Sequence, residues 1–252
     1  VFHGPQLASA SVVSTLEVAQ GNVFVNGGLV SGDIVLYEGD TVLTEQGGMA
    51  HLQMMDNSRF TLGPNGKIVL NTISSDSVVV DHLQGRLWTQ VVNLGDSEVS
   101  VSVRFPDGEV ILQKRATVDV RVDRKETELQ VVQNLVELEI TKGEKYEGTL
   151  GQGARMLLTD TLELDENISS DKNDVWWSFN LAYGKEYLRH LDEQYTNEAI
   201  KRGLILPGNP LYKFKTFRES VREKLTFGSA KEVLVAQHAQ KRLDESKALR
   251  AG

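Results

Sequence analysis

Over the first 158 positions, apolar residues tend to recur at every second place. Val99, Val101 and Val103 alternate with Glu98, Ser100, Ser102 and Arg104. Val118, Val120 and Val122 alternate with Asp119, Arg121 and Asp123, and Val136, Leu138 and Ile140 with Glu137, Glu139 and Thr141. A period of two sends one row of side chains inward and the other into water, as in a half-buried strand. The pattern opens with Leu16 and Val18. Turn formers punctuate it at Gly21-Asn22, Asn26-Gly27, Gly39-Asp40, Pro64-Asn65-Gly66 and Asp107-Gly108. A dozen or more strands of about four to seven residues result. No helical period interrupts them, which excludes alternating strand–helix units. The pattern predicts an all-β domain over residues 16–158, either a β-solenoid-like coil or a two-layer sandwich.

The character of the chain changes near residue 160. Beyond an acidic linker at 159–174, Trp177, Leu181, Gly184, Leu188, Leu191, Tyr195 and Ala199 stand three or four apart, on one helix face. Gly203 stops that helix. Asn209-Pro210 starts a second, with Leu211, Phe214, Phe217, Val221 and Leu225 as its stripe. Ser229 and Glu232 form a capping box for a third, with Val233, Ala236, Ala239 and Leu243. Residues 175–252 therefore read as an all-α C-terminal domain, and residues 1–15 as an N-terminal arm.

Charge sharpens this division. Of 252 residues with a net charge of −8, residues 1–159 hold 12 Lys+Arg against 20 Asp+Glu, and residues 160–252 hold 15 of each. The acidic excess lies on the β-rich part, where it repels phosphate backbones and excludes nucleic acid as a partner. With no cysteine, disulfides, thiolate metal ligands and cysteine nucleophiles are excluded. No apolar run approaches the roughly 20 residues of a membrane-spanning helix. The sequence opens with Val1 rather than Met, which leaves room for an export signal or membrane anchor upstream.

Catalytic chemistry finds no anchor. No two of His3, His51, His82, His190 and His238 stand at metal-ligand spacing. Asp119 with Asp123, and Glu137 with Glu139, fall on the solvent side of their strands by the alternation, and a glycosidase dyad needs two carboxylates across a cleft. The glycine-rich stretch from Gly143 to Gly153 lacks the Lys-Ser/Thr of a phosphate loop, and no Gly-x-Ser-x-Gly elbow occurs. No catalytic residue, metal site or cofactor is expected. Aromatic residues are what remain: Trp176, Trp177, Phe179, Tyr183 and Tyr187 on the first helix, and Phe214 and Phe217 on the second. These are the candidates for partner or interdomain packing. Trp177 lies on the apolar stripe and Trp176 about 100° away from it.

Residues 16–158 resemble the FecR-like domain, the extracytoplasmic module of bacterial sigma-factor regulators. Leu16-Glu17-Val18-Ala19-Gln20-Gly21-Asn22-Val23, Glu38-Gly39-Asp40-Thr41-Val42, Phe60-Thr61-Leu62-Gly63-Pro64-Asn65-Gly66 and Leu83-Gln84-Gly85-Arg86-Leu87-Trp88 carry the resemblance. Arg115-Ala116-Thr117 departs from the Arg-Gly-Thr usual in that family. Residues 174–249 resemble a small, uncharacterised helical domain that follows such β-domains in bacterial envelope proteins, chiefly through Pro207-Gly208-Asn209-Pro210-Leu211-Tyr212. Together the resemblances imply a non-enzymatic, extracytoplasmic protein, periplasmic or on the cell surface, that binds a protein partner or senses a signal. The alternative is a structural subunit of a surface layer, filament or larger envelope complex, a homo-oligomer assembling through its aromatic helices. Carbohydrate binding is a third reading, and it requires Trp88 to be exposed.

Overall fold

The computed structural model describes residues 14–92, 99–143, 145–165 and 174–201, the last stretch with side chains as far as 191 and at 193. Residues 1–13 of the arm read at 1–15, the second and third helices with Phe214 and Phe217, His3 and His238 lie outside the described residues, while Ser14 and Thr15 already belong to the first strand.

Seventeen strands precede the single described helix. The first eight are β1 (Ser14–Gln20), β2 (Val23–Val25), β3 (Gly28–Val30), β4 (Ile34–Leu36), β5 (Thr41–Thr44), β6 (Met49–Met54), β7 (Arg59–Leu62) and β8 (Lys67–Ile73). The long β9 (Ser77–Gln90) follows. The remainder are β10 (Ser100–Phe105), β11 (Gly108–Leu112), β12 (Thr117–Val122), β13 (Thr127–Gln133), β14 (Val136–Ile140), β15 (Tyr146–Leu150), β16 (Arg155–Leu158) and β17 (Leu162–Asp165). The last of these lies within the stretch read from sequence as a linker. Helix α1 spans Val175–Lys201.

The strands form two layers that share β9. One layer runs β4-β1-β6-β7-β9-β12-β13-β16-β17. The other runs β3-β2-β5-β8-β9-β10-β11-β14-β15. Ladders are antiparallel except β9–β10. The first half of β9 pairs β8 and β10, and the second half, from Gly85, pairs β7 and β12. A strand that changes layers needs a sharp corner. Gly85 supplies it at φ +87°, a left-handed conformation that suits glycine. A side chain would not fit there, since a Cβ would lie 2.5 Å from the Gly66 Cα and 3.0 Å from the Asn65 carbonyl oxygen.

One apolar core draws on both layers, with Leu52, Phe60 and Leu129 from the first and Leu70, Val80 and Leu138 from the second all fully or almost fully buried. The alternating valines of β10 and β12, and Val136, Leu138 and Ile140 of β14, point into it, as their spacing requires. Asn26 (φ 51°) and Gly27 (φ 80°) close the β2–β3 hairpin in the left-handed pair that an Asn-Gly turn favours. The turn expected at Asp107-Gly108 sits one residue earlier, because Gly108 already pairs with Phe105.

Two histidines are enclosed in this fold. His82 is fully buried, and its Nε2–H donates to the Gln84 carbonyl at 3.1 Å, leaving Nδ1 bare. Burial lowers its pKa to about 4, although the Gln84 and Gly85 carbonyls pull the other way. Burial, and then the Arg59 charge, lower that of His51 to about 3. Both rings are neutral in the folded chain and regain an ordinary pKa near 6.5 when unfolded. Depressed histidines therefore contribute stability that is complete above about pH 6.5 and is lost as pH falls toward 4. Below pH 6 the loss approaches about 1.4 kcal/mol per pH unit for each ring. Asp119, whose pKa is raised, offsets part of it. Urea unfolding at pH 7, 6 and 5 should show the decline, and His82→Gln should flatten the slope. A stability unchanged across that range would contradict this reading.

The described residues fall into two compact units that divide between Trp177 and Ser178. The first holds both layers and the opening residues of α1. In the second, Phe179 and Tyr183 stack with ring centroids 5.9 Å apart, and Arg189 pairs with Glu186 and with Glu193.

Candidate functional site

The site is assembled on the outer face of the first layer, where α1 begins. Cross-strand register sets His51, Thr61, Trp88 and Asp119 side by side on β6, β7, β9 and β12. All four are buried. Within the row, Arg59 Nη2 donates to His51 Nδ1 at 2.9 Å and to Thr61 Oγ1 at 3.2 Å. The row is therefore polar and covered, where a half-buried strand would leave it wet.

Arg86 organises the far end. It stands one residue after the β9 corner, so the bend aims its guanidinium along the outer face toward β12. Its Nε donates to Asp119 Oδ1 at 3.1 Å and Oδ2 at 3.0 Å, and its Nη2 donates to Oδ2 at 2.5 Å. The same Nη2 reaches Asp174 Oδ2 at 2.7 Å. Asp174 is also the N-cap of α1, since its Oδ1 accepts from the backbone N–H groups of Trp176 at 2.9 Å and Trp177 at 3.3 Å. One guanidinium thus holds both a buried sheet carboxylate and the cap of a helix.

Two tryptophans complete the contact. Trp176 Nε1 donates to Asp119 Oδ1 at 3.2 Å, and its ring lies beneath the Arg86 guanidinium, 5.6 Å from Cζ to the ring centroid. The ring also rests on Gly63, where a Cβ would come within 2.9 Å of Cζ3. Trp177 meets Trp88 edge-to-face, with centroids 5.9 Å apart and planes at 85°. Both first-turn tryptophans therefore pack on the β-structure, although they point in different directions from the helix.

The electrostatics follow from this geometry. Burial works against the charge on Arg86, but Asp119 and Asp174 outweigh it and raise its pKa. At Asp119 burial pushes the carboxyl upward, and Arg86 and the Trp176 indole hold it back only in part. Asp174 loses some hydration too, yet Arg86 and the two backbone N–H groups bring its pKa below the usual carboxylate value.

Asp119 corrects the sequence reading. Its alternation with Val118 and Val120 placed it on a wet face, but it is only 4% exposed. The reason is a second covering: Trp176 and Arg86 close over a face that the strand period alone assigns to solvent. Trp88, 3% exposed, offers no platform to a sugar, which removes the support for carbohydrate binding. Glu137 and Glu139 do face solvent. Of the other aromatic candidates on α1, Phe179 is exposed and Tyr183 and Tyr187 are half-buried.

A groove of about 840 Å³ opens where the hairpin turns gather, lined by Leu83, Pro106, Asp107, Arg124, Lys125 and Asp160 among others. Its charges are of both signs and Lys142 already pairs with Asp107. Among the described residues no three His, Asp or Glu side chains could hold a metal ion. No described helix is long and apolar enough to cross a membrane.

Residues 40–137 match the family model described as FecR protein. The matched stretch contains Gly63, Gly85, Arg86, Trp88 and Asp119, and stops short of Asp174, Trp176 and Trp177. Residues 204–251 match a domain of unknown function (DUF5667), so the chain carries a FecR match followed by a small uncharacterised domain. No curated protein matches the chain. Two crystal structures of a candidate anti-sigma factor from Parabacteroides distasonis ATCC 8503, at 2.50 and 1.65 Å resolution, are similar to it at 15% identity and a TM-score of 0.46. They cover 54% of this chain, and the chain spans 63% and 64% of theirs, less than two thirds.

Proposed function

We propose that this chain is a non-enzymatic, extracytoplasmic contact protein of the FecR-like type, whose β-structure receives a protein partner and whose α1 carries the event onward. The observation that supports this most directly is the double engagement of Arg86. A guanidinium shared between Asp119 in the sheet and the cap of α1 couples the strands to the helix start. Moving β12 relative to β9 would withdraw Arg86 from Asp174. The first turn would then lose its ion pair and, where Asp174 follows Arg86, its cap as well. The FecR match supports the signal-sensing side of the reading, and in this reading the uncharacterised domain matched at 204–251 would carry the output.

The test is hydrogen exchange on the full chain with and without a cross-linked partner recovered from an envelope fraction. Partner binding should change exchange at the amides of Trp176, Trp177 and Ser178. Asp174→Asn, which keeps a good cap but removes the charge, should weaken that response while leaving partner binding intact. A bound partner that leaves those amides unmoved would end the proposal of coupling.

A further inference from the structure

The four open edges of the two layers differ in chemistry. Among the described residues β3 and β4 each pair on one side only and present no charge, with Leu29 and Val35 exposed. On the other side of β9, again among the described residues, β15 pairs only with β14 and β17 only with β16, and both carry acids. Register explains how concentrated the charge is. Asp81, Arg104, Glu109, Glu139 and Glu147 stand directly opposite one another across β9, β10, β11, β14 and β15. Arg104 neutralises the inner end through its 3.5 Å contact with Glu109. No cation lies within 4.0 Å of Glu139 or Glu147 among the described residues. Like charges directly opposite on neighbouring strands are unfavourable, so among the described residues the sheet carries an unneutralised step that ends at an open row of backbone donors and acceptors.

We infer that β15 is an acceptor edge for an extended, basic segment of a protein partner, which would add to the layer as its next strand. Backbone hydrogen bonds to β15 would supply the pairing, and every second side chain of the added strand would lie on the outer face beside Glu147 and Thr149. Lysine or arginine at those places would complete the row that Arg104 begins. A second copy of the chain does not suit the edge, because it would bring the same Glu147 charge to the seam. A lone charge on an edge strand guards against self-pairing. That role accounts for Glu147 but not for Glu139 and Glu137 on the strand behind it.

This inference rests on the reading of the chain as a contact protein and names the chemistry of its partner. The probe is a fluorescent peptide of alternating Lys and Val, long enough to span β15, titrated into the full chain. It should bind with salt-sensitive affinity and slow hydrogen exchange at residues 146–150, while an alternating Glu and Val peptide should not bind. The double variant Glu139→Gln with Glu147→Gln should weaken binding by about tenfold or more. N-methylation of alternate peptide amides should abolish binding with the charge unchanged. Equal binding by the double variant, equal binding by the methylated peptide, or no binding at millimolar concentration would each overturn the inference. None of these measurements involves α1, so their failure is separable from failure of the Arg86 coupling.

Discussion

Gly85→Ala is expected to destabilise the β-structure by about 3–5 kcal/mol, enough to leave little folded protein at moderate urea concentrations. Two effects combine. A left-handed conformation costs an alanine about 1–2 kcal/mol. The larger part is contact, because the new methyl would sit 2.5 Å from the Gly66 Cα, and backbone cannot rotate away as a side-chain tip can. Gly39 provides an internal control. Its φ of +89° is nearly that of Gly85, but nothing lies within 4 Å of its would-be Cβ. Gly39→Ala should therefore show the conformational part alone. Urea melts of both variants separate the terms, and equal losses would mean that the corner of β9 is not tightly packed.

Arg86→Ala is expected to cost about 3 kcal/mol, the range in which removal of one partner from a buried ion pair leaves a stranded charge. Asp119 is the stranded group, since its side chain is only 3% exposed while Arg86 keeps 25%. The partial exposure of Arg86 places the value at the lower end of that range. The loss should arise mainly from the uncompensated carboxylate. Asp119→Asn in the Arg86→Ala background should then recover a good part of it, whereas Asp119→Asn alone should destabilise. A thermodynamic cycle of the four proteins reads this as a coupling energy. Additive losses would show that Arg86 and Asp119 do not act as a pair.

Much of this architecture is legible in the sequence, for local reasons. Val136, Leu138 and Ile140 point inward because a period of two admits no other arrangement once one face is buried. Asn26-Gly27 turns where it stands because few other pairs accept two left-handed residues in succession. The Arg86 site is less legible because its members are far apart in the chain and because alternation presumes one covered face. Asp119 between valines looks wet until Trp176, 57 residues later at the start of α1, covers it. A partial signal was present at Asp174, a good capping residue immediately before Val175-Trp176-Trp177. Read together with the lone arginine of Gly85-Arg86-Leu87-Trp88, it would have proposed the contact.

The strand common to both layers has a further consequence. Eight strands lie on each side of β9 in sequence, and each side supplies neighbours to both halves of it. A chain severed after Gln90 would keep β7 and β8 against β9 but bare its opposite flank in both layers at once, where β10 and β12 had been. Neither fragment would own a finished border. Proteolytic shortening in that region should therefore yield sticky, mutually complementary pieces in place of a smaller autonomous fold, so any partner meets this β-structure whole.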